Sequence, residues 1–335
     1  MTTVSAPLIA NGPASGAAGL PPAIEVRELR HQYGERVALD GVSFAVQPAE
    51  IFVLLGPNGS GKTTLFRILS TLMLPSSGSA LVAGHDVARE PLAVRRAIGI
   101  VHQQQSIDLK LTAAENLRHQ GHLYGLSGSA LKQRIEEMLA RVGLLDRARE
   151  RAETFSGGMQ RRLELAKGLL HRPSVLLLDE PTTGLDPGAR RDLWLYLETL
   201  RAEEHVAMLV TTHLMEEAER CGRLAILHHG RLVALGTPAE LKHEIGGDVI
   251  EFEAADPESL ARRMSERFRV EPQVVAGKLR LERANGHRFV TDVVEAFPGE
   301  VLSVSVSQPS LEDVFIHRTG HRFFHEDAAE QALPR

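Results

Sequence analysis

The sequence predicts an α/β protein with a second, smaller domain. Three observations support this prediction: an apolar strand that leads into a glycine-rich loop and a helix, a fully apolar strand that ends in two carboxylates, and a change of pattern near residue 247. An unbroken apolar strand is typical of the centre of a sheet that is covered on both faces. A chain of 335 residues is long enough for two domains.

The composition is that of a globular protein, with 43% apolar and 24% charged residues. The net charge of −5 gives no electrostatic reason to expect a nucleic-acid partner, and we predict none. A single cysteine, Cys221, excludes an intrachain disulfide and a cysteine-based metal site, and favours the cytosol. No apolar run approaches the roughly 20 residues of a membrane-spanning helix, and we see no signal peptide. We therefore expect that any work at a membrane depends on another protein.

The glycine-rich loop follows the apolar run Ile51–Leu55 and precedes a helical pattern, which is the context of a phosphate-binding loop. Its residues match G-x-x-x-x-G-K-T and run Gly56, Pro57, Asn58, Gly59, Ser60, Gly61, Lys62, Thr63 and Thr64. Glycines let successive N–H groups point at an anion, and the following helix adds the positive end of its dipole. We expect Lys62 to contact the β- and γ-phosphates and the Thr63 hydroxyl to bind Mg²⁺. A chance glycine-rich turn is the alternative, and the flanking strand and helix argue against it.

The run Val175–Glu180 predicts a buried strand that ends in two carboxylates. Ligands collect at the carboxyl ends of such strands, so Asp179 is placed to hold Mg²⁺ and Glu180 to polarise an attacking water. A second buried strand, Val206–Thr212, ends in His213 at the same edge. A lone histidine is more often structural, but this position favours a function. The run Gly99–Gln103 predicts another strand of this sheet.

The residues alone do not decide the roles of two further features. Tyr33 could stack on a purine ring, and a surface tyrosine in a turn is an equally good interpretation. The residues Ser156, Gly157 and Gly158 precede a predicted helix, Arg161–Leu170, and would leave its first amides uncovered. Taken alone, this second feature is best interpreted as a capped helix start.

The remaining chain organises into a tail, an insertion and a second domain. Residues 113–145 carry helical periodicity almost throughout. Beyond residue 247 the order β-α-β-β-α-β suggests a ferredoxin-like domain, for which binding or regulation is the default role. A last helix is predicted over Pro309–Arg318. Metal binding by His317, His321 and His325 is possible if that helix continues, but a solvated tail is favoured because Gly320 interrupts the run.

Over about residues 24–245 the chain resembles the ATPase subunits of ATP-binding cassette (ABC) transporters. Six motifs occur in the family's order: Walker A (Gly56–Thr63), the Q-loop (Gln103), the signature (Ser156–Gly158), Walker B (Val175–Glu180), the D-loop (Asp186) and the switch histidine (His213). Tyr33 fits the aromatic residue under adenine. Phe155 stands where leucine is usual and Met159 where glutamine is frequent, and we expect activity to survive both departures.

The resemblance implies a P-loop NTPase fold: a RecA-like core with a helical subdomain and an antiparallel β subdomain, followed by a small α+β domain. The implied organisation is a disordered tail (1–22), an ABC domain (23–246, helical subdomain about 104–158), the small domain (247–308) and a C-terminal helix and tail (309–335). ATP and Mg²⁺ are the implied cofactors. Lys62, Glu180 and His213 take catalytic roles, and Thr63, Gln103 and Asp179 hold Mg²⁺. Tyr33, residues 56–64, Gln103, Ser156–Gly158 and Asp186 bind the nucleotide.

The small domain and the segment Pro309–Phe315 are similar to the daunorubicin/doxorubicin-resistance type of ATPase. The ABC resemblance implies a head-to-tail homodimer, and the narrower resemblance implies that it pairs with a separate integral-membrane permease at the cytoplasmic face of the membrane. The pair would export a drug-like or lipid-like substrate.

Two other classes compete with transport. One is a soluble ABC ATPase of DNA repair, chromosome organisation or translation, and the other is a nucleotide sensor with little turnover. A single cassette, the absence of sustained heptads and the single cysteine argue against the first class. The presence of Glu180 argues against the second.

Overall fold

The computed structural model describes residues 20–323, which form fourteen strands and eleven α-helices. The strands are β1 (Ile24–Tyr33), β2 (Arg36–Val46), β3 (Ile51–Leu55), β4 (Ser77–Val82), β5 (His85–Asp86), β6 (Ile98–Val101), β7 (Val175–Asp179), β8 (Ala207–Thr212), β9 (Arg223–His228), β10 (Arg231–Gly236), β11 (Asp248–Ala254), β12 (Gln273–Val275), β13 (Lys278–Arg283) and β14 (Val301–Ser307). The helices are α1 (Lys62–Leu69), α2 (Pro91–Ala97), α3 (Ala113–Leu123), α4 (Gly128–Arg141), α5 (Gly157–Leu169), α6 (Pro187–Glu204), α7 (Met215–Ala218), α8 (Pro238–His243), α9 (Pro257–Phe268), α10 (Gly286–Ala296) and α11 (Leu311–Thr319).

A six-stranded sheet with the order β10-β9-β3-β8-β7-β6 lies at the centre. All neighbouring strands are parallel except the β9–β10 hairpin. Every residue of β3, β7 and β8 is buried, as their unbroken apolar sequences predict for strands covered on both faces. Parallel strands end at one edge, so the residues that follow β3, β6, β7 and β8 meet there.

A four-stranded antiparallel sheet with the order β2-β1-β4-β5 covers one face of the central sheet. Phe44 of β2 stacks on Phe52 of β3 with ring centroids 5.2 Å apart, so the two sheets share a core. The predicted antiparallel β subdomain is confirmed.

The predicted helical insertion forms two helices, α3 and α4, with a break between them. Thr112 caps α3 in a reciprocal pair with Glu115, and Gly125 in the break has a φ of +75°. The prediction of a strand that includes Gln103 is wrong, because β6 ends at Val101 and Gln103 lies in the following loop. We call residues 102–112 the β6–α3 loop.

The elements from β11 to β14 form a separate antiparallel sheet with the order β12-β13-β11-β14. This is the order in which a β-α-β-β-α-β unit of the ferredoxin type closes, so the prediction is confirmed. Helices α9 and α10 pack on one face around Phe252, Leu279 and Phe289. The exact domain boundaries stay predictions.

Helix α11 returns to the central sheet, and Leu311, Val314 and Phe315 join the same buried cluster as Ala218 of α7. The helix ends at Gly320, whose φ is +77°. His321 therefore lies beyond the helix, His325 lies outside the described residues, and His317 contacts Glu282 with Nδ1 and Oε2 2.9 Å apart. The predicted tail up to residue 19 and the segment from residue 324 also lie outside the described residues.

Candidate functional site

The loop between β3 and α1 accepts only glycine at two positions. A Cβ on Gly56 would lie 2.4 Å from the Leu227 carbonyl oxygen. Gly61 has a φ of +110°, and a Cβ there would lie 2.5 Å from the Ala38 carbonyl oxygen. Helix α1 has no side-chain cap, and the buried Ser60 hydroxyl has no hydrogen-bonding partner among residues 20–323. The loop therefore offers uncapped backbone N–H groups and a hydroxyl to an anion.

Lys62 supplies the positive charge inside this loop. Its Nζ donates to the carbonyl oxygens of Gly56 (2.7 Å) and Pro57 (2.9 Å). The same Nζ lies 3.9 Å from Glu180 Oε1, and the lysine side chain is buried. The cation is thus positioned between the phosphate-binding loop and the end of β7.

Glu180 is the point at which the predicted residues meet. Its Oε2 accepts hydrogen bonds from Gln103 Nε2 and Thr183 Oγ1, each at 3.2 Å, and lies 3.2 Å from His213 Nδ1. The backbone of Glu180 is left-handed, with a φ of +44°, a conformation that costs about 1–3 kcal/mol in a residue with a side chain. The surrounding contacts therefore hold the carboxylate in place against a backbone preference.

The contact between Glu180 and His213 shifts the titration of both groups. The His213 imidazole holds the pKa of the Glu180 carboxyl below its usual range, and the carboxylate raises the pKa of His213 above its usual range. Glu180 therefore remains ionised over a wide range of pH. An ionised carboxylate in this position can accept a proton from a water molecule.

Asp179 lies one residue earlier, at the end of β7, and is buried. Its Oδ1 accepts a hydrogen bond of 2.6 Å from the Thr211 hydroxyl, but burial still raises the pKa of the carboxyl. A divalent cation would offset this cost of burying a negative charge. Thr63, exposed in the first turn of α1, and Gln103 can supply further oxygen ligands of the kind that Mg²⁺ prefers. The residues present therefore fit a magnesium ion.

No group of three or more His, Cys, Asp and Glu side chains that could hold a metal occurs within residues 20–323. Mg²⁺ in nucleotide-binding sites is held by one or two carboxylates together with substrate phosphates. Such a site does not require a cluster of this kind.

Tyr33 lies beside the start of α1 rather than in an isolated turn. It is 43% exposed, its hydroxyl is 3.5 Å from Thr64 Oγ1, and the hydroxyl donates to the Met73 sulfur at 3.3 Å. Its ring meets the His31 ring edge to face at 4.7 Å. An exposed ring next to the phosphate-binding loop is available for stacking on a base.

Ser156, Gly157, Gly158 and Asp186 form a second cluster. Ser156 caps α5 by accepting a hydrogen bond of 3.3 Å from the Met159 N–H, and Asp186 caps α6 by accepting one of 3.0 Å from Ala189. The two helix starts touch, because a Cβ on Gly158 would lie 3.1 Å from the Ala189 Cβ. Ser156 and Gly157 are exposed, so two helix N-termini point at solvent side by side.

Comparison with known proteins identifies the family. Residues 39–183 match the ABC transporter family, and residues 236–319 match the C-terminal domain of the ATP-binding proteins DrrA1-3. The chain is 39% identical to the daunorubicin resistance ATP-binding protein DrrA2 of Streptomyces coeruleorubidus over 92% of this chain and 99% of that protein. The chain belongs to the ABC transporter ATPases of the daunorubicin/doxorubicin-resistance type.

Two further relatives agree with this assignment. The doxorubicin resistance ATP-binding protein DrrA of Mycobacterium tuberculosis is 38% identical over 89% of this chain and 93% of that protein. A dimeric ATP-binding cassette in a post-hydrolysis state with ADP and Pi has a TM-score of 0.57 and 27% identity over 64% of this chain and 98% of that one. The present chain is therefore an ABC ATPase that binds and hydrolyses ATP. Its predicted fold class and enzyme class are confirmed.

The structure of the ABC ATPase also adds residues that the sequence analysis missed. Thr183 donates to the Glu180 carboxylate, and the Thr211 hydroxyl accepts from the Glu180 N–H at 3.0 Å while it donates to Asp179. The buried Glu217 accepts hydrogen bonds from the hydroxyls of Thr182 and Thr212. The sequence signal for these contacts was the two threonine pairs, Thr182-Thr183 after Glu180 and Thr211-Thr212 before His213. Among residues 20–323 no helix has both the length and the apolarity to cross a membrane.

Proposed function

We propose that this chain powers export of a drug-like or lipid-like substrate through a separately encoded membrane permease, with Glu180 as the general base of ATP hydrolysis. The observation that carries the proposal is the contact of the Glu180 carboxylate with His213, Gln103 and Lys62 at the edge where parallel strands end. An ionised carboxylate beside a phosphate-binding loop has the position and the charge state of a base.

Nucleotide binding begins at the phosphate-binding loop. The N–H groups at the start of α1 and the Lys62 ammonium bind the β- and γ-phosphates, and the exposed ring of Tyr33 stacks on adenine. Thr63, Asp179 and Gln103 would hold Mg²⁺, which would supply neutralisation of the charge on the phosphates and the leaving group.

Hydrolysis then depends on the residues around Glu180. The carboxylate accepts a proton from water as the water oxygen bonds to the γ-phosphorus and the bond from that phosphorus to the bridging oxygen breaks. His213 and Gln103 orient the carboxylate and the γ-phosphate. Glu180 must keep its proton-accepting state, which the neighbouring His213 favours.

A second copy completes each site in our proposal. The N-terminus of α5 is exposed, is capped by Ser156 and has two glycines that leave its amides accessible. Such a terminus suits the γ-phosphate bound by a partner subunit in a head-to-tail homodimer. Hydrolysis removes the shared anion, so the nucleotide state sets the balance between closed and open dimers.

We also propose that the ATPase binds its permease as a peripheral protein on the cytoplasmic face of the membrane. The relatives named above are daunorubicin and doxorubicin resistance ATP-binding proteins, which supports a drug-like cargo. No nucleic-acid partner is proposed.

The test is the variant Glu180→Gln, which keeps the side-chain size and removes the base. We expect turnover to fall by about 10²- to 10⁴-fold while ATP still binds, so that the variant accumulates as a dimer with ATP and Mg²⁺ on size-exclusion chromatography. Glu266→Gln, at an exposed position of α9, is the control and should behave as wild type. Wild-type turnover of Glu180→Gln would show that the assignment of the base is wrong.

The transport role needs a separate measurement. Cells that express the chain with the membrane protein encoded beside it should lose daunorubicin faster than cells with the Glu180→Gln variant. Stimulation of ATP hydrolysis by nucleic acid, without any effect on efflux, would instead support the class of soluble ABC ATPases.

A further inference from the structure

Arg161 joins α5 to the β6–α3 loop, which carries Gln103, and to the backbone at Glu180. It lies in the second turn of α5 and is 6% exposed. Its Nε donates to the Pro181 carbonyl oxygen at 2.6 Å, its Nη1 to that of His102 at 2.6 Å and its Nη2 to that of Glu180 at 3.4 Å. One guanidinium therefore ties the residue before Gln103 to the backbone of Glu180 itself.

The buried charge of Arg161 is balanced by Glu164, one turn further along α5. Glu164 is 2% exposed, and its Oε2 accepts from Arg161 Nη1 at 2.6 Å. Its other oxygen accepts from the N–H of Ser106, in the same β6–α3 loop. Burial lowers the pKa of Arg161 and the Glu164 carboxylate opposes this shift, so the ion pair is maintained in the interior.

The rest of this face of α5 binds the β6–α3 loop as well. Gln105 Nε2 donates to Gln160 Oε1 at 2.7 Å, and Lys167 Nζ donates to the Ser106 carbonyl oxygen at 2.6 Å. Hydrogen bonds from four side chains of one rigid helix thus fix the loop that carries Gln103. A displacement of α5 must move this loop and the backbone of Glu180 together.

We infer that Arg161 is a positioning residue that links the nucleotide bound by a partner subunit to Glu180 of its own chain. This inference depends on the proposed dimer, in which the N-terminus of α5 contacts the partner's γ-phosphate. The Glu180 backbone is left-handed, and such a conformation persists only where its surroundings enforce it. Arg161 holds the carbonyl of that residue and so keeps the carboxylate against His213. The two sites of the dimer are coupled through α5.

The test compares Arg161→Gln with Arg162→Gln. Arg162 is the next residue of the helix, but its Nη1 donates to the Val142 carbonyl oxygen, away from the β6–α3 loop and from Glu180. We expect Arg161→Gln to lower kcat by about 10- to 100-fold, as small misplacements of catalytic groups do, with ATP affinity near that of wild type. Arg162→Gln should keep the wild-type kcat.

A comparison of kcat with KM separates positioning from general damage. If Arg161 acts by holding the backbone of Glu180 and the β6–α3 loop, its loss should lower kcat and leave the KM for ATP and the thermal unfolding temperature near those of wild type. General damage should lower ATP affinity and thermal stability together with kcat. An equal loss of kcat and of ATP affinity in Arg161→Gln would overturn the inference.

A conservative variant covers the case in which Arg161→Gln does not fold. Arg161→Lys keeps the charge beside Glu164 but cannot span three carbonyl oxygens, so it should show a smaller loss of kcat, again with the KM for ATP near that of wild type. A wild-type kcat in Arg161→Lys, with Glu180→Gln inactive, would overturn the inference alone. Wild-type turnover of Glu180→Gln would overturn the proposed function instead.

Discussion

Two helix N-termini in this ABC ATPase, both of which we propose contact phosphate, differ in structure. Helix α1 starts from Gly61 without a side-chain cap, and the buried Lys62 places a cation inside the preceding loop. Helix α5 starts from the capping hydroxyl of Ser156, its N-terminus lies at the surface, and its first turn has no charged residue. The first terminus has the elements of a complete phosphate site within one chain, whereas the second provides only amides and a hydroxyl.

From this difference we expect the N-terminus of α1 to determine the affinity for ATP and that of α5 to determine the rate of turnover. We expect a site with its own buried cation to bind the nucleotide within a single chain. In the proposed dimer, a site without a cation contributes only after a second chain presents a phosphate to it. Variants at the two termini should therefore separate binding from hydrolysis.

The largest effect is expected at α1. Lys62→Ala removes the charge that contacts the loop carbonyls and Glu180, and a charge-assisted hydrogen bond contributes about 1.5–3 kcal/mol. ATP affinity, measured by titration with a fluorescent analogue, should fall by about 10- to 100-fold. Lys242→Ala, which removes a partly exposed ion pair with Glu219, is the control. An unchanged affinity for ATP in Lys62→Ala would show that the nucleotide does not bind at this loop.

A smaller effect of another kind is expected at α5. Ser156→Ala should leave the ATP affinity of the single chain unchanged and lower turnover by about tenfold, the value of one charge-assisted contact. The helix should also lose about 1 kcal/mol of stability with its cap. Thr237→Ala removes a comparable cap from α8 and should lower stability without affecting turnover. Equal losses of turnover in the two variants would indicate a purely structural Ser156.

The smallest effect is expected on the pKa of Glu180, the proposed general base. His213→Ala removes the imidazole that lowers the pKa of Glu180, so that pKa should rise toward its usual range. Activity that needs ionised Glu180 is lost as pH falls through this pKa, and the acid limb of kcat should move to higher pH. His243→Ala, on α8, should leave the limb in place. If the acid limb of kcat stays in place in His213→Ala, the ionisation of Glu180 does not produce that limb.

Much of the site could be predicted because its parts are local in sequence. The phosphate-binding loop, the carboxylates at the end of β7 and the histidine after β8 each adjoin a buried apolar strand. Parallel strands bring such positions to one edge whatever the order of the strands. The interpretation of Tyr33 stayed open because no short-range pattern shows that its hydroxyl lies 3.5 Å from Thr64.

The error at Gln103 has a related cause. The nearby run Gly99–Val101 is apolar and suits a strand, but pairing with β7 stops at Val101, opposite Leu178. The length of a strand is determined by its neighbour. The break between α3 and α4 was missed because helical periodicity continues on both sides of Gly125.

The sequence alone determined the fold class, the family and the candidate nucleotide-binding residues. This was possible because an apolar strand or a glycine-rich loop is specified by the types of a few adjacent residues. Only the tertiary structure decided which groups touch: Gln103 and Glu180 are 77 residues apart, and Arg161 reaches carbonyls in two different loops. These contacts depend on strand order and on the packing of α5 against the sheet edge. Side-chain hydrogen bonds of this length tolerate only small displacements, and no sequence periodicity specifies them.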